Sequence, residues 1–120
     1  MADQKRVLIV EDEKPLSHAL ELKLTSEGFL TVVATNGQEA LDALKSGQFN
    51  VMLLDLMMPT IDGFQVLEQI KNSPTRPTVF VLSNLSQHED EERALALGAK
   101  KFFIKSDTPL SVIVEEVKNA

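Results

Sequence analysis

Five short apolar runs constrain the fold of this chain more than any other feature. Each run is continuous rather than alternating, which is typical of strands covered on both faces of a parallel sheet. The segments between the runs carry apolar residues at helical spacing. Regular alternation of strand and helix predicts an α/β fold, a doubly wound five-stranded parallel sheet with helices on both faces. The runs are VLIV (7–10), TVVA (31–34), VMLL (51–54), VFVL (79–82) and FFI (102–104).

Local signals mark the predicted helix ends. Pro15 suits the opening turn of the first helix. The spacing of Ser86 and Glu89 predicts a capping box at the start of the fourth helix. The last segment is rich in Val and Ile and would also suit a strand. Thr108 as a cap, followed by Pro109 at the first helical position, favours a helix there.

Length and composition limit the classes of protein to consider. At 120 residues, with 43% hydrophobic and 25% charged residues, residues 1–120 are predicted to form one globular domain, either a complete small protein or part of a longer chain. The absence of cysteine excludes disulfides and thiolate chemistry. A net charge of −6 disfavours direct binding to nucleic acid or to an anionic membrane. The polar N-terminus and the lack of a long apolar run predict a cytoplasmic location.

Polar side chains follow four of the five predicted strands at positions suited to a shared site. Glu11 and Asp12 follow the first strand, and Asp55 ends the third. Ser83 ends the fourth strand, and Lys105 follows the fifth. The carboxyl ends of parallel strands lie along one edge of the sheet, where open α/β sheets bind ligands. We therefore expect these residues to converge.

The chemistry of this set points to phosphoryl transfer. Crowded carboxylates repel one another unless a cation joins them, and their hard oxygens favour Mg²⁺. The ammonium of Lys105 and the hydroxyl of Ser83 could hold the oxygens of a phosphoryl group. Asp55 stands alone at the end of the central run and is the best candidate nucleophile. Each residue taken singly is more often a helix cap or a solvated strand end, so the interpretation depends on the joint pattern.

The segments VLIVEDE, LLDLMMPTIDG and GAKKFFIK, together with Ser83, resemble the response-regulator receiver domain of two-component signalling. The resemblance covers essentially the whole chain and implies a flavodoxin-like strand order of 2-1-3-4-5. It implies a signalling switch rather than an enzyme that turns over an external substrate. The phosphoryl group would come from a sensor histidine kinase or a histidine phosphotransfer protein.

The same resemblance assigns roles at the acidic edge. Asp55 would be the phosphoacceptor. Asp12 and Asp55 would coordinate Mg²⁺, with the backbone carbonyl of Met57 as a third ligand and Glu11 acting through water. Ser83 and Lys105 would hold the phosphoryl oxygens.

The remaining roles concern signal output. Phe102 would turn inward as a switch residue when Ser83 moves. The face formed by helix four, strand five and helix five would then change its affinity for a downstream target or an output domain.

Two other functions use a similar fold. A phosphatase of the haloacid dehalogenase type needs a second acid two residues after the nucleophile, where this chain has Met57. A pseudo-receiver would bind a partner without being phosphorylated, but the intact acid, hydroxyl and lysine set disfavours it. Met57 and Leu85, two residues beyond Asp55 and Ser83, are apolar and cannot orient an attacking water. This predicts slow loss of the phosphate.

Overall fold

The computed structural model describes residues 4–84 and 88–120. Strands and helices alternate through these two stretches. The strands are β1 (Arg6–Val10), β2 (Leu30–Ala34), β3 (Val51–Asp55), β4 (Thr78–Ser83) and β5 (Lys101–Ile104). The helices are α1 (Lys14–Ser26), α2 (Gly37–Ser46), α3 (Gly63–Ile70), α4 (His88–Ala96), α5 (Leu110–Lys118) and a short 3₁₀ helix (Lys105–Asp107). Within the described ranges, no helix has the length and apolar character of a membrane span.

The strands form one parallel sheet in the order β2-β1-β3-β4-β5. This confirms the predicted α/β class and strand order. β3 lies at the centre of the sheet. The register aligns Asp55 of β3 with Leu82 of β4, and Ser83 of β4 with Ile104 of β5. The carboxyl ends of the three strands are therefore level, and the residues that follow them meet at one edge.

The core is divided by the sheet into two apolar clusters, one on each face. Leu54 of β3 packs in the same cluster as Phe64 of α3. Its neighbour Leu53 belongs to the opposite cluster, with Leu20 of α1 and Val114 of α5. Because successive strand residues point to opposite faces, burial on both sides requires the continuous apolar pattern seen in the sequence.

The prediction that all five strands are buried on both faces is wrong for the edge strands. In β2, Leu30 and Val32 are 49% and 38% exposed, because the strand has one neighbour and the helices cover it incompletely. β5 at the other edge is mostly half-buried. Its Phe102 packs against the cluster that contains Leu54, whereas Phe103 packs on the other face, with its ring centroid 6.1 Å from that of Phe80.

The start of α5 tests one of the predicted local signals. The fifth segment is helical as expected, but Thr108 is not its cap. The Thr108 hydroxyl donates to the Ile104 carbonyl at 2.8 Å, and Pro109 takes the capping position without a side-chain hydrogen bond. The helix begins at Leu110, one residue later than predicted, so Pro109 rather than Thr108 directly precedes it. Ser86 of the predicted capping box lies outside the described residues.

Candidate functional site

The carboxyl edge of the sheet brings the predicted site residues together. Glu11, Asp55 and Ser83 are buried at the ends of β1, β3 and β4. Asp12 is exposed above them, and Lys105 opens the 3₁₀ helix after β5. Beside these residues lies a cavity of about 200 Å³. It is lined by Asp12, Glu13, Asp55, Met57, Asn84 and Lys105.

Three carboxylates at this edge are arranged as a metal site requires. Glu11, Asp12 and Asp55 each offer one oxygen, and these oxygens lie within 4.8 Å of one another. The buried Oε1 of Glu11 also forms an ion pair with the Nζ of Lys105 at 2.7 Å. Three hard carboxylate oxygens this close together fit a small divalent cation such as Mg²⁺.

Lys105 occupies the centre of the acidic edge. Its Nζ lies 2.7 Å from Glu11 Oε1, 2.8 Å from Glu13 Oε2 and 3.4 Å from Asp55 Oδ2. Burial acts to lower the pKa of Lys105, but its hydrogen bonds to Glu11 and Glu13 outweigh that effect and raise the pKa above its ordinary value. The lysine is therefore a fixed positive charge beside Asp55.

The two buried acids are harder to ionise than ordinary carboxyl groups. Burial raises the pKa of Glu11 from 4.5 to about 7, against the opposing hydrogen bonds from Lys105 and the Glu13 backbone. Burial also raises the pKa of Asp55, although the Met57 N–H and Lys105 act in the opposite direction. A cation between these carboxylates would favour their charged forms.

The loop after β3 holds Asp55 in place. The Met57 N–H donates to Asp55 Oδ1 at 3.2 Å, and the Gly63 N–H donates to the carbonyl of Leu56 at 3.1 Å. A Cβ on Gly63 would lie 2.5 Å from the Asp55 carbonyl oxygen and 2.8 Å from the Leu56 Cα. Asp62 then starts α3 with a capping box. The IDG segment is therefore needed for the close approach of this loop to β3.

All the roles predicted for the site residues remain predictions, although the structure brings the residues together. The main chain of Met57 faces Asp55, but its carbonyl as a metal ligand is untested, as is the switch role of the half-buried Phe102. Ser83 is fully buried at the end of β4, next to Ile104 in the sheet register. Leu85, invoked for slow loss of the phosphate, lies outside the described residues.

The sequence interpretation missed one residue of the site. Glu13 had no assigned role, yet its Oε2 contacts Lys105 at 2.8 Å and its side chain lines the cavity. The available signal was the third acid of the run Glu-Asp-Glu that follows β1.

The fold and this acidic edge define a class of signalling domain, and comparison with known proteins identifies the family. The family model described as the response regulator receiver domain matches residues 7–117. The chain belongs to that family, which acts in phosphorylation-dependent two-component signalling.

Individual relatives agree with the family match. The transcriptional regulatory protein PcoR of Escherichia coli is 34% identical over 101 residues, which cover 84% of this chain and 45% of PcoR. The chain therefore spans less than half the length of that relative. The receiver domain of the Francisella response regulator 1452 has a TM-score of 0.89 at 26% identity, covering 97% of this chain and 95% of its own. The response regulator TrrA of Thermotoga maritima, in complex with Mg²⁺-BeF, has a TM-score of 0.83 at 30% identity, covering 97% and 98%.

Proposed function

We propose that Asp55 accepts a phosphoryl group from a histidine of a sensor kinase or a histidine phosphotransfer protein, and that this modification changes the affinity of the chain for a downstream partner. The observation that supports the proposal is the position of Asp55. It is buried at the end of the central strand, with a carboxylate oxygen within 4.8 Å of those of Glu11 and Asp12 and its Oδ2 3.4 Å from the Nζ of Lys105.

The transfer follows from this arrangement. A carboxylate oxygen of Asp55 attacks phosphorus, the new P–O bond forms as the P–N bond to the donor imidazole breaks, and the bonding electron pair stays on the imidazole nitrogen. Lys105 remains protonated throughout and neutralises charge on the phosphoryl oxygens. The Ser83 hydroxyl donates to one of these oxygens. No external substrate is turned over beyond the transfer and later hydrolysis of the phosphate.

The proposed metal ligands are the carboxylates of Asp12 and Asp55 and the carbonyl of Met57, with Glu11 acting through water. When bound, Mg²⁺ supplies charge neutralisation and orients phosphoryl oxygens. The close approach of the three carboxylates supports this assignment.

The output is proposed to act through the face formed by α4, β5 and α5. Ser83 and Phe102 would link the phosphoryl group to this face. Leu95 of α4 and Val112 of α5 are exposed apolar residues that a partner could cover. Phosphorylation can favour one of two pre-existing states only through contacts that differ between them. The partner is a separate target or an output domain, and the proposal places the signalling event in the cytoplasm without direct contact to nucleic acid.

The test is labelling with acetyl phosphate in the presence and absence of Mg²⁺, followed by intact-mass spectrometry. We expect the parent to gain one phosphoryl group only with Mg²⁺, and Asp55→Asn to gain none. Asp42→Asn is the matched control, because Asp42 is an exposed carboxylate of α2. Equal labelling of Asp55→Asn and the parent would show that the phosphoacceptor assignment is wrong.

A further inference from the structure

The side chain of Glu13 is directed to the lysine of the site rather than to its own helix. Glu13 immediately precedes α1, but its side chain makes no capping hydrogen bond. Its backbone is fixed, because its N–H donates to Glu11 Oε2 at 3.0 Å and its carbonyl accepts from the Ser17 N–H at 3.0 Å. From this position its Oε2 reaches the Nζ of Lys105 at 2.8 Å.

We propose that Glu13 is a positioning residue that holds Lys105 in the resting state and competes with the phosphoryl group for its ammonium. This inference rests on the proposed function of Asp55. An ammonium has three donors, and those of Lys105 already face Glu11, Glu13 and, at a longer distance, Asp55. A phosphoryl oxygen on Asp55 therefore competes with Glu11 and Glu13 for the donors of Lys105.

Of the two carboxylates nearest to its Nζ, Lys105 can release Glu13 at the lower free-energy cost. The Glu13 side chain is 56% exposed and can be solvated when the contact breaks, whereas that of Glu11 is 1% exposed. Leaving a buried carboxylate without its ion pair costs far more than separating an exposed pair. The exchange of Glu13 for a phosphoryl oxygen thus leaves the Glu11–Lys105 pair intact.

The charge of Glu13 has a second consequence. Its carboxylate lines the cavity of about 200 Å³ that a small phosphodonor must enter. It repels a doubly charged donor such as acetyl phosphate more than a less charged donor such as phosphoramidate. Glu13 therefore slows phosphorylation both by holding Lys105 and by opposing the incoming charge.

Glu13→Gln tests both effects by intact-mass measurement of labelling rates at saturating Mg²⁺. We expect labelling by acetyl phosphate to become about 1.5- to 5-fold faster, the range that corresponds to loss of an exposed ion pair. The increase should be smaller with phosphoramidate and should shrink at high ionic strength. Glu21→Gln is the matched control, because it removes the same charge from α1 at a residue that pairs with His18. Its rates should equal those of the parent.

A second readout uses metal-free, unphosphorylated protein. Nitrogen-detected NMR of the Lys105 ammonium reports how rapidly its protons exchange with water. Both Glu13→Gln and the shorter Glu13→Asp should accelerate this exchange, because neither keeps the 2.8 Å ion pair. Glu13→Asp keeps the charge, so its preference between the two donors should stay close to that of the parent.

The outcomes separate this inference from the proposed function. Labelling of Asp55→Asn would overturn the assignment of Asp55 and, with it, the inference. If labelling requires Asp55 but Glu13→Gln matches the parent with both donors, the role of Glu13 is wrong. An equal rate increase in Glu21→Gln would also overturn it, because the effect would then reflect net charge alone.

Discussion

The ionisation of the buried Glu11 side chain opposes folding. Its side chain is 1% exposed, and burial raises its pKa from 4.5 to about 7. Between these pH values the folded protein keeps a proton that the unfolded chain has lost. The resulting loss of stability is absent below about pH 4.5, grows as the pH rises, and is complete above about pH 7.

This sign gives a prediction for the metal-free protein. Glu11→Gln removes the titrating group. The free energy of unfolding of the variant minus that of the parent should therefore increase by up to about 3 kcal/mol as the pH rises from about 5 to about 8. Urea denaturation of both proteins in the presence of a chelator measures the difference. A difference that does not change with pH would contradict the raised pKa of Glu11.

The residues of the site differ in how far the sequence could predict them. Glu11, Asp55 and Lys105 were predictable because each is close to the carboxyl end of a strand, where topology alone brings them together. Glu13 was not, because it lies on a turn whose side-chain direction strand parity does not set. Its partner Lys105 is 92 positions away in the sequence, so only the folded structure pairs them.

Among the elements, the connection from β3 to α3 leaves no room for a side chain at Gly63. Gly63→Ala would place a Cβ within 2.5 Å of the Asp55 carbonyl oxygen, a backbone atom that cannot move without shifting the phosphoacceptor. We expect Gly63→Ala to lower the free energy of unfolding by about 1–3 kcal/mol, as overpacking typically does, and to slow labelling by acetyl phosphate.

Gly47→Ala is the matched control for this prediction. There the nearest atom to the added Cβ is Arg6 Nη1 at 2.8 Å, at the end of a flexible side chain that can move away. Chemical denaturation should therefore show a smaller loss for Gly47→Ala, and its labelling rate should equal that of the parent. A larger loss at Gly47 than at Gly63 would contradict the argument.

Within the described residues, the sequence predicted the strands and α helices better than their surroundings, and it did not predict the 3₁₀ helix. The apolar runs located every strand of the sheet, but a continuous pattern does not distinguish a central strand from an edge. Val32, for example, lies within the run TVVA but is exposed because β2 is an edge strand. Thr108 shows the same limit at a helix start, because α5 begins one residue later than its capping signal predicts and its hydroxyl donates to the Ile104 carbonyl instead.

For the whole molecule, the three clustered carboxylates of the acidic edge predict that metal binding increases the stability of the fold. A ligand that binds only the folded state stabilises it by about 2.7 kcal/mol when its concentration is 100-fold above the dissociation constant. We expect Mg²⁺ to raise the melting temperature of the parent and to have a much weaker effect on Asp12→Asn. Differential scanning calorimetry at constant ionic strength measures both.

Asp42→Asn, which removes a carboxylate from the exposed face of α2, should respond to Mg²⁺ as the parent does. If Asp12→Asn gained as much stability as the parent, the carboxylate cluster would not be the binding site.

The division of the core into two clusters has a mechanical consequence at β5. Phe102 and Phe103 are adjacent in sequence but pack into opposite clusters. A displacement of this edge strand must therefore alter the packing of both helical layers at the same time. Movement of β5 is therefore coupled to the helices on both faces of the sheet and not to one layer alone.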